Sequence, residues 1–326
     1  MHALQLSSGD LIADRRASYA EMLWKADDRA AAIDLMRDVL SLVPHWAAGW
    51  FRLGEMLDDD KRPAEAADAW CEALRLDPGD RAGAVLKLAG IGAATGLEAA
   101  PSAFVETLFD QYADRFDTAL VETLDYRVPE LIVAAMAAAG RDRFRHALDL
   151  GCGTGLMGER LRGRSSYLEG IDISAGMLKR ADAKRIYDAL ARKDLHMLDA
   201  ETVRADLVTA ADVLMYVGAL DRLFATVAGL LVPGGWFVFS VEHHDGPEPM
   251  VLRASRRYAH SRAGVLEALA GAGLDPRSLD TAIIRTDRGE PLEGLIVVAE
   301  KPAAQPVPAL LVVEDEVAAD HMPLAH

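Results

Sequence analysis

The chain has 326 residues, 51 acidic against 35 basic, for a net charge of −16, and 51% of it is hydrophobic. That length allows two domains with apolar cores. The acidic balance argues against a phosphate-backbone partner, because nucleic-acid binding needs clustered Lys and Arg. Cys71 and Cys152 are the two cysteines, and neither sits in a CxxC or metal-binding spacing, which suits a reducing cytoplasm and no metal site. Residues 1–5 lack a basic start followed by an apolar core, so no secretory signal is expected there.

The first predicted elements are paired helices. Pro44 and Pro78 lie 34 residues apart (78 − 44). Between them Trp50, Leu53, Gly54, Leu57, Ala66, Trp70 and Ala73 fall in an order that resembles a tetratricopeptide unit. Gly54 and Ala66 would let two antiparallel helices approach closely, with Trp50 and Trp70 filling the seam. The preceding unit carries Tyr19, Ala20, Leu23, Ala32, Met36, Val39 and Pro44 in register, but Arg16 stands where a Trp is usual. A capping helix is expected over 81–91. The all-α segment is assigned to 13–92. Two units are fewer than a free-standing stack needs, so the segment should lean on the following helices or on another subunit. It serves either as a groove for a peptide or protein partner, or as an appendage that shapes a substrate mouth or a homodimer contact.

Residues 93–103, rich in Ala and Gly and holding Pro101, read as a linker, and 104–144 as cap helices. Within the cap, 104–117 is an amphipathic helix with Phe109, Tyr112 and Phe116 on one face. Tyr112 and Tyr126 read either as core residues or as a lid over a ligand.

The stretch from His146 to Gly155 reads as a buried strand ending on Asp149 and breaking into Gly151, Gly153 and Gly155. A glycine loop between a strand and a helix start is how open α/β sheets hold nucleotides. Two readings overlap. Gly153, Gly155 and Gly158, with Asp172 19 residues on (172 − 153), suit a dinucleotide. Gly151, Gly153 and Gly155 behind Asp149 suit a ligand bearing positive charge, because a carboxylate there would repel a pyrophosphate. The second is preferred.

In order along the chain, the Leu148–Gly155 loop, Gly170-Ile171-Asp172-Ile173 through Met177, Leu198-Asp199-Ala200, the strand 206–214 ending near Asp212, and the turn Pro233-Gly234-Gly235 resemble the motifs of class I S-adenosylmethionine-dependent methyltransferases. The likeness covers 145–301. It implies a seven-stranded, mostly parallel, Rossmann-like α/β sheet behind the helical segment. It also implies S-adenosylmethionine as cofactor, with Asp149, Gly151, Cys152, Gly153 and Gly155 at its amino-acid end. Asp172 and Ile173 would lie at the ribose, Met177 near the adenine, and Asp199 with Ala200 at the exocyclic amine. Asp212 would stand beside the transferring methyl, and Tyr112 in the lid. With the repeats in front, the whole chain is similar to a bacterial group of predicted methyltransferases carrying tetratricopeptide repeats. For Cys152 the preferred reading is a small residue in a tight loop.

Tyr216 follows the fourth strand, and Glu242-His243-His244-Asp245 ends the fifth. Tyr216 and His243 are the candidate catalytic groups, His243 as a base. The same cluster could in principle hold a metal, but neighbouring strand residues point to opposite faces. The uncharged run 223–241 is cut by Pro233-Gly234-Gly235 into a helix end and a buried strand, not a membrane span. Beyond it 258–270 reads as a helix, 281–285 and 295–299 as strands of a closing hairpin, and 302–326 as a flexible tail. The expected acceptor is a small molecule, or one bound to a carrier or protein. The rival readings are a protein-interaction module on a cofactor-binding but inactive methyltransferase fold, and a dinucleotide oxidoreductase.

Overall fold

The computed structural model describes residues 7–113, 116, 124–199 and 204–303. Its first four helices pack as two hairpins: α1 (Leu11–Lys25) with α2 (Arg29–Leu42), and α3 (Ala47–Asp59) with α4 (Pro63–Leu76). Asp10 caps α1 by accepting from the Ile12 and Ala13 N–H groups, and Pro63 opens α4 where no N–H partner is needed. Ala13, Ile33, Met36, Phe51, Leu57 and Trp70 belong to one core. A Cβ at Gly54 would come within 2.3 Å of the Trp70 indole. The glycine is thus what lets Trp70 bury completely and donate its indole N–H to the Phe51 carbonyl. Trp50 fills the seam less than expected. It is half-buried, with its N–H turned to the Pro44 carbonyl. The next helix, α5 (Ala84–Gly90), is shorter than 81–91 because the Asp80 carboxylate accepts from the Ala84 and Val85 N–H groups and fixes its start.

The cap begins with α6 (Ser102–Tyr112), followed among the described residues by α7 (Val128–Ala138). The sheet then forms in the order predicted by βα alternation. Its elements are β1 (Phe144–Leu150), α8 (Leu156–Leu161), β2 (Ser165–Asp172), α9 (Ala175–Lys184), β3 (Ala189–Arg192), β4 (Ala205–Ala210), α10 (Asp221–Leu230) and β5 (Leu231–His243). Spatially the parallel strands run β3-β2-β1-β4-β5. A long hairpin, β8 (Asp275–Asp287) and β9 (Glu290–Glu300), adds antiparallel to β5 through β9. Its turn is Arg288-Gly289, both with positive φ, which matches the right-handed twist of the strands it joins. The break expected at Pro233-Gly234-Gly235 falls earlier, since α10 passes directly into β5 at Leu231. The glycines instead form an irregularity inside β5, where Leu231 pairs with Ala205 and Trp236 with Leu207.

The sheet has nine strands among the described residues, not seven. The two extra ones are β6 (Met250–Leu252) and β7 (Tyr258–His260). β7 pairs in parallel with Glu242 and His243, beyond the end of β4, so this hairpin stands above the carboxyl edge of the sheet. It takes Tyr258, Ala259 and His260 out of the helix expected over 258–270, which starts only at α11 (Arg262–Gly271).

Residues read as a linker are tied to that edge. Ala99 forms a bridge with Val217, Ala100 donates to the Tyr216 carbonyl, and the Glu98 carbonyl accepts from Gly218 and Ala219. Tyr258 donates its hydroxyl to Leu97, and Arg256 donates to the Ala82 carbonyl. Among the described residues no helix is long and apolar enough to cross a membrane.

Candidate functional site

A cavity of about 370 Å³ opens at the carboxyl ends of β1, β2 and β4, beneath α6. This is where open α/β sheets present ligands.

One wall is the loop after β1. Gly151, Gly153 and Gly155 all have positive φ, of 61°, 54° and 94°. Gly151 and Gly153 line the cavity; Gly155 does not, and caps α8. A Cβ on Gly151 would strike Val213 at 2.5 Å, whereas one on Gly153, which lines the cavity, would meet among the described residues only Phe116, at an ordinary contact distance of 3.8 Å. Cys152 is on the wall but buried, and burial pushes its thiol up, so the group stays protonated and inert.

The next strand tips supply carboxylates. Asp172, at the end of β2, accepts from the Gly153 and Ser174 N–H groups at 2.8 Å each, which ties the glycine loop to β2. Burial raises its pKa, and Ile173 lies beside it on the wall. At the third tip the sequence reading is corrected. β3 ends at Arg192, so Asp194, Leu195 and His196 reach the cavity, while Asp199 lines a separate, smaller recess of about 70 Å³. Ala200 lies outside the described residues. Met177 is fully buried in α9 and is not on the cavity wall, so it packs the fold from beneath.

Asp149 does not line the cavity. It is 1% exposed, and its two oxygens accept from the hydroxyls of Tyr187, at 2.7 Å, and Thr209, at 2.8 Å. Burial pushes its carboxyl up to about 6, against the pull of those two hydrogen bonds. Tyr187 itself occupies space left by Gly158 and Gly170, where a Cβ would come within 2.2 and 2.9 Å of it. Small residues at those positions were the sequence signal for a bulky partner, although not for which one.

Beyond β4, Asp212 is on the wall with φ 57° and its N–H bonded to Ser240. Both of its carboxylate oxygens bond the Arg285 guanidinium. Arg285, 4% exposed on β8, also donates to Glu242, which is fully buried and takes Arg257 and Arg253 as well. Arg257 continues to Asp287. The Glu242 end of the predicted acid–histidine cluster is therefore consumed in a charge network. His243 is not on the cavity wall. Its ring nitrogens face the His260 carbonyl and Asp245, so the expected base has no access to the cavity. Tyr216 is on the wall, and burial pushes its hydroxyl up to about 12.

The roof is aromatic. Phe109 meets Phe116 and Tyr216 edge-on at centroid distances of 5.9 and 5.5 Å. Tyr112 lines the cavity and is 39% exposed. The Asp110 carboxylate holds α6 to the start of α9 by accepting from the Ser174 hydroxyl and the Gly176 N–H, and Glu106 pairs with Arg192.

Residues 148–239 match the methyltransferase domain family. S-adenosylmethionine is the methyl donor of that family, and the matched region holds the glycine loop and the strand tips just described. Ubiquinone biosynthesis O-methyltransferases from Burkholderia cenocepacia and Coxiella burnetii are 33% and 29% identical over 102 and 100 residues, 29% of this chain in both cases. The chain spans less than half the length of these curated relatives, 44% and 43%. Among solved structures, an S-adenosylmethionine-dependent methyltransferase from Mesorhizobium loti is 27% identical with a TM-score of 0.42, covering 51% of this chain and 96% of that one. The magnesium protoporphyrin IX methyltransferase of Synechocystis is 20% identical with a TM-score of 0.49, covering 61% and 99%. The nine-stranded sheet is Rossmann-like in strand order with a β-hairpin added at its edge, and the methyltransferase-domain match runs within it from β1 to β5.

Proposed function

We propose that the protein transfers a methyl group from S-adenosylmethionine to a small-molecule acceptor by in-line displacement, with 145–301 as the catalytic domain. The observation that carries this reading is the composition of one cavity: an open glycine loop, carboxylates at the second and third strand tips, and an aromatic roof. The loop fits the donor because a Cβ on Gly153 would fill the space its amino-acid end needs. In this reading Asp172 takes the ribose hydroxyls on the lone pairs its backbone bonds leave open. Asp194 and Leu195 flank the adenine, and Tyr112 covers the methionine end.

When bound, the donor supplies a methyl carbon already activated by a sulfonium leaving group. The chain then has to orient and to exclude water. Phe109, Phe116 and Tyr216 do the second. Tyr216 keeps its proton at neutral pH and acts as a hydrogen-bond donor to the acceptor, not as a base. Asp212, neutralised by Arg285, is a fixed dipole beside the methyl path. The curated relatives are named for O-methylation, so hydroxyl acceptors are the first to try; the oxygen gains the methyl as the carbon–sulfur bond breaks, and its proton leaves to solvent water. Residues 13–92 act in this reading as two tetratricopeptide units with a capping helix, and the contact of Ala82 with Arg256 makes them part of the cavity's mouth.

Calorimetric titration with S-adenosylhomocysteine tests the donor site, and labelled methyl transfer into a small-molecule extract tests the activity. Binding without any labelled product at saturating donor would favour an inactive interaction module. Retention of a nicotinamide or flavin nucleotide would overturn the donor assignment.

A further inference from the structure

We propose that the turn between β6 and β7 is an anion subsite, in which Ser255 and Arg256 hold a carboxylate on the methyl acceptor. The proposal rests on the methyl-transfer reading above and concerns the opposite partner in the reaction. Ser255 and Arg256 both line the main cavity. The Ser255 hydroxyl is buried and has no hydrogen-bond partner among the described residues. A buried hydroxyl left unpaired costs free energy until something accepts from it.

Arg256 is the second, independent observation. Four arginines stand in this corner. Arg253, Arg257 and Arg285 are matched by Glu242, Asp287 and Asp212. Arg256 forms no ion pair among the described residues; its guanidinium donates to the Ala82 carbonyl and lies 4.8 Å from the Phe104 ring centre. The acids whose fields reach it are engaged elsewhere, Glu55 with Arg52 and Asp80 with the start of α5. Burial lowers the Arg256 pKa, as expected for a desolvated cation with no counter-charge against it.

The chemistry of the ligand follows. One uncompensated positive charge and one hydroxyl donor suit a monoanionic oxyanion. Phe104 lies against the guanidinium, and Val105 and Leu108, which pack with Phe104, line the same cavity, so the rest of the acceptor is apolar. The cavity is then polarised, with Asp172 and Asp194 toward a cationic donor and Arg256 toward an anionic acceptor. This arrangement rejects a second copy of the donor at the acceptor end.

The test uses the full chain loaded with S-adenosylhomocysteine and three pairs of probes: benzoate and benzamide, phenylacetate and phenylacetamide, octanoate and octanamide. We expect at least one acid to bind about tenfold more tightly than its amide, because only the acid gains the charge-assisted contact. Arg256→Gln should erase that preference, Arg256→Lys should keep part of it, and Ser255→Ala should weaken the acid several-fold, all with S-adenosylhomocysteine affinity unchanged. Absence of any acid preference in the natural protein, or its survival in Arg256→Gln, overturns the proposal. Failure of S-adenosylhomocysteine to bind would instead overturn the donor reading, and the acid–amide comparison on the unloaded protein would still decide this one. If Arg256→Gln does not fold, Arg256→Lys and Ser255→Ala decide.

Discussion

The Tyr187 hydroxyl donates to the Asp149 carboxylate at 2.7 Å beneath the glycine loop, and Thr209 completes the pair of donors from β4. This small buried network joins β1, β4 and the segment after α9. Removing one donor leaves a buried carboxylate oxygen unsatisfied, so Tyr187→Phe should destabilise the fold by about 1–3 kcal/mol. Urea unfolding followed by circular dichroism measures it, and a variant as stable as the parent would contradict the structural role assigned to this contact.

The same carboxylate makes a pH prediction. Burial raises the folded pKa of Asp149 to about 6, above the ~3.9 of an unfolded aspartate. Between those values the folded state holds a proton that the unfolded state has lost. Asp149 therefore favours folding at low pH, and its contribution decays as pH rises through about 6. Asp149→Asn should flatten this part of the stability profile and gain on the parent toward neutral pH. Unfolding free energies across that window check it; parallel profiles for the two proteins would refute the shift.

Gly153 and Gly151 separate ligand space from packing space. Gly153→Ala puts a methyl into the cavity at a φ of 54°. It should cost about 1–2 kcal/mol in stability and weaken S-adenosylhomocysteine binding by roughly tenfold or more through steric exclusion. Gly151→Ala meets Val213 at 2.5 Å and should act mainly on folding. Melting temperatures and calorimetric affinities for the two variants should diverge in these opposite senses.

Arg285 sits between the buried Glu242 and the half-buried Asp212. Truncating it strands the Asp212 charge and leaves Glu242 with Arg253 and Arg257 alone, and Arg285→Met should destabilise by about 3–5 kcal/mol. The loss should shrink in Arg285→Met combined with Asp212→Asn, since the stranded charge is then gone. Thermal denaturation of the single and double variants reads this coupling, and strict additivity would speak against the network.

Asp110 fastens the roof through Ser174 and Gly176. Asp110→Ala should leave the sheet intact and loosen α6, raising the Kd for S-adenosylhomocysteine by about three- to tenfold through faster release. Stopped-flow dissociation would detect it, and an unchanged off-rate would mean that α6 is not a lid.

Much of the domain was legible because its signals are local. The glycines at 151, 153 and 155 need left-handed dihedrals, and the apolar runs around them could only be buried strands, which gives the parallel sheet with its loop at the carboxyl edge. Gly54 against Trp70 was readable for the same reason, since a missing Cβ announces a close neighbour. What pairing across the fold decides could not be read this way. Asp149 and Asp172 both look like ligand carboxylates in sequence. Only the approach of Tyr187 and Thr209, 38 and 60 residues away, turns the first inward, while the second stays on the cavity wall. Asp194 rather than Asp199 reaches the cavity because β3 stops at Arg192, and strand ends are set by neighbouring strands. The histidines after β5 looked catalytic, yet β7 pairs alongside them and turns His243 away from the cavity. Amino-acid order fixes which residues can bend, bury or carry charge; long-range contacts choose which of them meet the ligand, because a side chain's direction depends on partners that no local pattern names.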